Sequence, residues 1–299
     1  MRWVRETKPQ KDQNRLYRNA ILITLGGNIL LASSKAIVAA ISGSAAIYAD
    51  AANSISDVVY SLLMVAGLWM AMQPPDLSHP QGHARFEPVV GLIVTASMAF
   101  AGFEAARNAF MRYSAGGESI ALDLPTLILV VSALIKAGMF VVISRIAKKL
   151  VSPTLSSTAK DNLSDVLTSL AAFVGVLASN WIHPLADPIA GFLVALWIFR
   201  QAFLAGRDNI GFLTGKSASK EELQEFITAA EEIPGVLRVH HMMSDYVGPR
   251  LMLDLHINVD GNKTLNEVHR ISDEVIKRLE EFPGVDRAYV HVEPDDWED

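Results

Sequence analysis

Two pairs of oxygen-bearing side chains stand where polar groups are costly. Asn53-Ser-Ile-Ser-Asp57 and Asp161-Asn-Leu-Ser-Asp165 each place two of them four residues apart, inside or at the mouth of a long apolar segment. On a helix, positions i and i+4 share a face one turn apart. A charged carboxylate at bilayer depth costs about 2.5–3.5 kcal/mol even on insertion scales. Two such pairs call for a polar partner inside a helical bundle. Asp57, Asp161 and Asp165 offer carboxylate oxygens and Asn53 a carbonyl oxygen. With no imidazole or sulfur in the set, the donors suit a hard divalent cation such as Mn2+, Mg2+ or Ca2+ better than zinc or copper. The same carboxylates bind protons, so metal and H+ compete for them, which is the physical basis of exchange. Used as structural glue between helices, one isolated Asp or Asn would pass without comment. Two i, i+4 pairs on separate helices point to function.

The elements that must hold these groups follow from the apolar pattern. A membrane-spanning helix needs about 20 mostly apolar residues. Six stretches qualify, at 19–41, 44–72, 87–111, 122–146, 158–182 and 185–206. The 51% hydrophobic content and mean hydropathy of +0.26 agree with a membrane protein. Residues 1–18 form a polar, basic tail, and the apolar stretch behind it is too long for a signal peptide. Basic residues in that tail, in the loop holding Arg85 and in the turn with Arg145, Lys148 and Lys149 place those three on the cytoplasmic side. The reading is a multi-pass protein of the cytoplasmic membrane with both termini in the cytoplasm. Lys35 and Lys136 lie mid-segment; either could neutralise Asp50 or the acid site, or reach an interface.

Beyond the spans the chain changes character. Residues 217–299 hold eight Lys+Arg against 19 Asp+Glu, about -11 of the total -6, which leaves about +5 for the rest. No basic stripe suits nucleic acid. Zero cysteines exclude disulfides and thiolate sites. Ser219 to Glu232 reads as a helix with a Ser219/Glu222 capping box, 236–246 and 250–259 as strands around Gly248-Pro249, 264–281 as a helix and 286–292 as a strand. The expected fold is thus an α-helical membrane protein: a tail (1–18), six transmembrane helices (19–210) and a small cytoplasmic α+β domain of order α-β-β-α-β (211–299). His240, His256 and His291 fall on its three strands, with His269 on the helix. A hydrolase would want a nucleophile with a base in reach, and the membrane segments hold Ser54, Ser56 and Ser164 but no His. No enzyme and no organic cofactor is expected.

The loop His79-Pro-Gln-Gly-His83-Ala-Arg85-Phe-Glu87, preceded by Gly43-Ser44, Ala49-Asp50, Asn53-Ser54 and Asp57, resembles the signature of the cation diffusion facilitators. Asp187-Pro188 and Gly191 at the start of the sixth segment fit it too. The resemblance runs from Arg15 to Pro294. It implies a homodimeric exporter of divalent metal, working against protons, with its transport site on Asn53, Asp57, Asp161 and Asp165. Zinc-type members usually carry His in that set; its absence here resembles the manganese exporters, with Zn2+, Fe2+, Co2+ and Cd2+ as alternative cargo. The resemblance further implies a loop site at Asp76, His79 and His83, and a site in the cytoplasmic domain at His240, His256, His269, His291 and Glu293. Thr214 stands where some members carry an aspartate paired with the residue matching Arg85. The competing reading is a metal-sensing membrane scaffold that does not transport, which would have no need of acids within the membrane.

Overall fold

A computed structural model describes residues 11–42, 45–116, 124–181, 183 and 185–295. Within its helices the side chains at 11, 39, 42, 45–50, 52–53, 124–129, 172–173, 175–181 and 187 lie outside that description, among them Asn53, Asp50 and Asp187. The Gly43-Ser44 turn and the first ten residues are outside it altogether. Two units are separated by chain contacts, Met1–Ile210 and Gly211–Asp299.

The first unit is a bundle of six helices: α1 (Lys11–Ser42), α2 (Ala45–Ala71), α3 (Phe86–Ser114), α4 (Leu124–Leu150), α5 (Pro153–Trp181) and α6 (Ala186–Leu213). Five hold a described stretch long and apolar enough to cross a membrane; the sixth helix is α5, whose side chains at 172–173 and 175–181 lie outside the description. Its N-terminal half is polar because it faces inward: Thr154, Ser157, Thr158, Asn162 and Ser164 are all buried. Large apolar side chains point the other way, with Phe203 70% and Leu134 68% exposed. In water such a surface would aggregate; in a bilayer it is the solvated face.

The helix ends explain their own positions. Pro153 opens α5 at the position where its missing N–H costs nothing. Ser152 caps it, accepting from the Leu155 N–H at 3.1 Å. Between α4 and α5 only Val151 and Ser152 remain, and Val151 turns the chain with φ 52°. A β-branched residue is strained in that left-handed region. Val151→Gly is therefore expected to raise stability by about 1 kcal/mol, read as a higher thermal midpoint of the purified protein. An unchanged or lower midpoint would show that the valine side chain contributes more than its strain costs.

Glu87, 2% exposed, ties three helices together at the start of α3. Tyr17 on α1 donates its hydroxyl to Glu87 Oε2 at 2.8 Å, Ser152 Oγ donates to Oε1, and Thr154 Oγ1 donates to the Glu87 carbonyl. On the next turn Gly91 leaves room for Asn209 of α6, whose amide a Cβ would strike. That amide donates to Ser157 Oγ on α5 at 2.8 Å.

The second unit continues with α7 (Lys220–Glu231), β1 (Arg238–Val247), β2 (Arg250–Val259), α8 (Leu265–Leu279) and β3 (Val285–Pro294). Ser219 and Glu222 form the expected capping box, and Thr264 with Glu267 forms a second one on α8. Gly248 (φ 64°) and Pro249 make the two-residue hairpin turn between β1 and β2. β1 pairs antiparallel with β2, and β3 pairs parallel on its other side after the α8 crossover. On β2 the residues Leu251, Leu253, Leu255, Ile257 and Val259 point into the core with Phe226, Ile271, Val275 and Leu279 from the helices. Strand alternation sends Asp254, His256 and Asn258 to the opposite face.

Candidate metal centres

Three helices bring charge to the interior of the bundle. Asp57 stands on α2, and Asp161 and Asp165 lie one turn apart on α5. Lys136 of α4 reaches between them. Its Nζ is 3.0 Å from Asp57 Oδ2 and 2.7 Å from Asp165 Oδ2, with the lysine side chain only 7% exposed. Asp161 is close enough to Asp57, Asp165 and Lys136 to interact electrostatically with all three. Asn53 sits one turn before Asp57 on α2, its side chain outside the description.

Asp57 and Asp161 share a cavity of about 20 Å³ with Thr24, Asn28, Tyr60, Ser61, Ser97 and Asn162. That is room for about one water or one small ion. The amide of Asn28 has a settled orientation. Ser61 Oγ gives its proton to the Asp57 carbonyl at 2.7 Å, so it must accept from Asn28 Nδ2 at 2.8 Å. Asn28 Oδ1 is then left buried without a hydrogen-bond partner, as are Thr24 Oγ1 and Asn162 Nδ2. Polar atoms buried unpaired beside two aspartates are the surroundings that a cation with a water ligand would satisfy. The sequence reading passed over this α1 contribution. Its signal was present: Thr24, Asn28 and Lys35 recur at 4 and 7 residues, one polar stripe on an apolar helix, and all three are buried.

In the loop before α3, Asp76, His79 and His83 each bring a ligand atom within 4.8 Å of the others. The His79 backbone N–H donates to Asp76 Oδ1 at 2.6 Å and holds that carboxyl below the usual aspartate range, aided by His83. Asp76 is thus kept ionised. His83 Nδ1 faces the Pro74 carbonyl at 3.1 Å, so it carries the proton. Nε2 faces Asp76 Oδ2, 3.4 Å away. The three side chains are arranged as donors around one point.

The second unit gathers His240, His256 and Glu293 in the same way. A bulge in β1 between Val239 and His241 leaves His240 without a register partner. Two successive histidines therefore face the same β2 residue: the His240 and His241 rings lie 5.6 and 5.0 Å from that of His256. Parallel pairing sets His291 beside His256 and Glu293 beside Asn258. His291 Nε2 is 3.4 Å from Glu293 Oε1. Asn258, 1% exposed, donates Nδ2 to the Pro294 carbonyl and turns Oδ1 to Arg238 Nε and His240 Nδ1. Since Oδ1 only accepts, His240 Nδ1 carries a proton. Neutral His240 would then face Glu293 Oε2 with a bare lone pair at 2.8 Å. Two acceptors that close require a proton or a metal between them. Asn258 is the supporting group that orients the ring, and sequence reasoning missed it. His269 is not brought to this cluster; it is largely exposed and pairs with Asp273 at 3.6 Å.

Residues 21–214 match the Cation efflux transmembrane domain, and residues 218–295 match the cytoplasmic domain of cation efflux proteins. A transporter of Methanocaldococcus jannaschii is 33% identical over 273 residues, spanning 91% of this chain and 96% of its own. The manganese efflux system protein MneS of Bacillus subtilis is 27% identical over 290 residues, 95% of this chain and 97% of its own. A solved structure of a MamM-CTD variant covers 26% of this chain and 100% of its own, with 25% identity and a TM-score of 0.26.

Proposed function

The chain belongs to the cation efflux family, multi-pass membrane transporters of divalent metal cations, and from that premise we propose that it exports Mn2+ from the cytoplasm in exchange for protons. The metal enters from the cytoplasmic side, is held by Asn53, Asp57, Asp161 and Asp165, and leaves outside once the helices rock. Protons then take the carboxylates for the return. A site deep in the bundle, served alternately from either side, is the general logic of such transporters.

One observation carries the reading. Asp57 and Asp161, far apart in the chain, line one small polar space inside a bundle whose outer surface is apolar, and Lys136 joins Asp57 to Asp165 beside it. Buried carboxylates in a membrane helix are maintained only where something cationic visits or resides. The choice of manganese rests on the donors: oxygen atoms without imidazole or sulfur favour Mn2+ over Zn2+. The manganese in the name of MneS points the same way. The full chain acts as a homodimer in the cytoplasmic membrane with both termini in the cytoplasm. His240, His256, His291 and Glu293 bind metal in the cytoplasmic domain, and Asp76, His79 and His83 bind it in the loop.

The test is uptake into proteoliposomes under an imposed pH gradient, Mn2+ against Zn2+. Mn2+ should move faster, and collapsing the gradient should stop it. Equal or faster Zn2+ movement would refute the manganese assignment. Uptake indifferent to the gradient would refute proton exchange.

A further inference from the structure

The polar interior of the bundle already contains a cation, and it is part of the chain. We infer that Lys136 is a tethered competitor for the transported ion: its ammonium holds the place between Asp57 and Asp165 while metal is away and must withdraw before metal binds. This inference rests on the transport-site reading above.

The geometry forces the competition. Nζ engages Oδ2 of Asp57 and Oδ2 of Asp165 at 3.0 and 2.7 Å. Those carboxylates come from α2 and α5, the lysine from α4. A hard divalent ion needs carboxylate oxygens at about 2.0–2.6 Å from a single centre. Drawing the same two carboxylates onto a metal would leave a buried ammonium against a divalent charge in a poorly polarisable interior. The two cations exclude each other. Lysine suits the part: a compact charge on four flexible carbons can swing aside, where the planar fork of arginine would hold its pair of carboxylates more rigidly.

The arrangement has a use in a carrier. A cluster of buried carboxylates without a counter-ion would be costly at every point of the cycle when metal is absent. A tethered ammonium supplies the counter-charge at an effective concentration that dissolved monovalent ions do not match. It also sets a threshold. Only an ion of higher charge, bonding the carboxylates directly, displaces it, and the returning ammonium helps that ion leave. Tight binding is of no benefit if release then limits turnover.

The experiment measures Mn2+ binding to full-length protein in detergent for wild type, Lys136→Met and Lys136→Gln. Each is compared with its own Asp57→Ala counterpart, so that only binding lost with Asp57 is counted and the loop and cytoplasmic-domain sites cancel. Both neutral variants should bind on the order of tenfold more tightly, and in proteoliposomes KM and kcat should fall together. Lys136→Arg, which keeps the charge, should not tighten. An unchanged or weakened Kd in the neutral variants, with Asp57-dependent binding intact in wild type, overturns the inference alone. A wild type with no Asp57-dependent binding overturns the transport-site reading and this inference with it. A second measurement needs no variant: labelling of wild-type Lys136 by a small amine-reactive reagent, followed by mass spectrometry. Saturating Mn2+ should raise the labelled fraction, and labelling indifferent to Mn2+ overturns the displacement.

Discussion

Asp57→Asn in the full-length chain is expected to lower Mn2+ transport at least about a hundredfold, beyond the 10–100-fold loss typical of removing a group that merely supports a metal ligand. The substitution keeps the shape of the side chain and removes its charge. Two consequences combine. Metal loses a charged oxygen in a site with no sulfur or imidazole to compensate, and Lys136 keeps only one of its two ion pairs. The check is initial-rate uptake into proteoliposomes at equal protein density. A second reading of metal bound to the cytoplasmic domain shows whether the variant is folded. Transport within a factor of about three of wild type would remove Asp57 from the site.

Asp161→His should change which metal is carried. Asp161 lines the same small cavity as Asp57, so its replacement acts at the ion itself. An imidazole there adds a softer nitrogen donor, which strengthens Zn2+ far more than Mn2+ along the Irving–Williams order. The ratio of Zn2+ to Mn2+ transport, measured with both ions present, should rise about tenfold or more, a difference of about 1.4 kcal/mol between the two ions. An unchanged ratio would mean that Asp161 acts through the field of the cluster and does not touch the ion.

The helices were legible because lipid demands long apolar runs, and all six were marked by them. Among them α5 shows the limit. Its apolar count begins late, near residue 158, but the helix starts at Pro153. Thr154 and Ser157 fell outside the apolar stretch because hydropathy cannot tell a polar side chain facing water from one facing other helices. The start of α1 was obscured for a related reason: Lys11 to Arg18 is polar but helical. In the cytoplasmic domain the α-β-β-α-β order and the Ser219 cap were plain, since caps and strand alternation are local signals.

The site was legible in proportion to how costly its groups are to bury. Asp57, Asp161 and Asp165 stand out by type and spacing alone. Lys136 stood out as well, with the acid site as one of its candidate partners, but the choice stayed open because Asp57 lies 79 residues away and only tertiary packing joins them. Asn258 carries no charge and sits singly, so nothing in composition marked it, and Asn28 was marked only by the polar stripe it shares with Thr24 and Lys35. The bulge that turns His240 and His241 toward one neighbour breaks the strand alternation from which facing is read. His269 shows the converse, since a helical histidine near a metal-binding face need not point toward it.

The two-residue turn between α4 and α5 also bears on how the protein is made. Val151 and Ser152 leave no slack, so α4 and α5 form a tight helical hairpin from neighbouring stretches of chain. α5 carries Asp161 and Asp165, and α4 carries a lysine near its middle, charges that are costly to expose to lipid one at a time. As a hairpin, Lys136 and Asp165 meet at 2.7 Å and offset each other before either faces lipid. The pair that joins the two helices in the folded bundle then also lowers the cost of their entry into the membrane together.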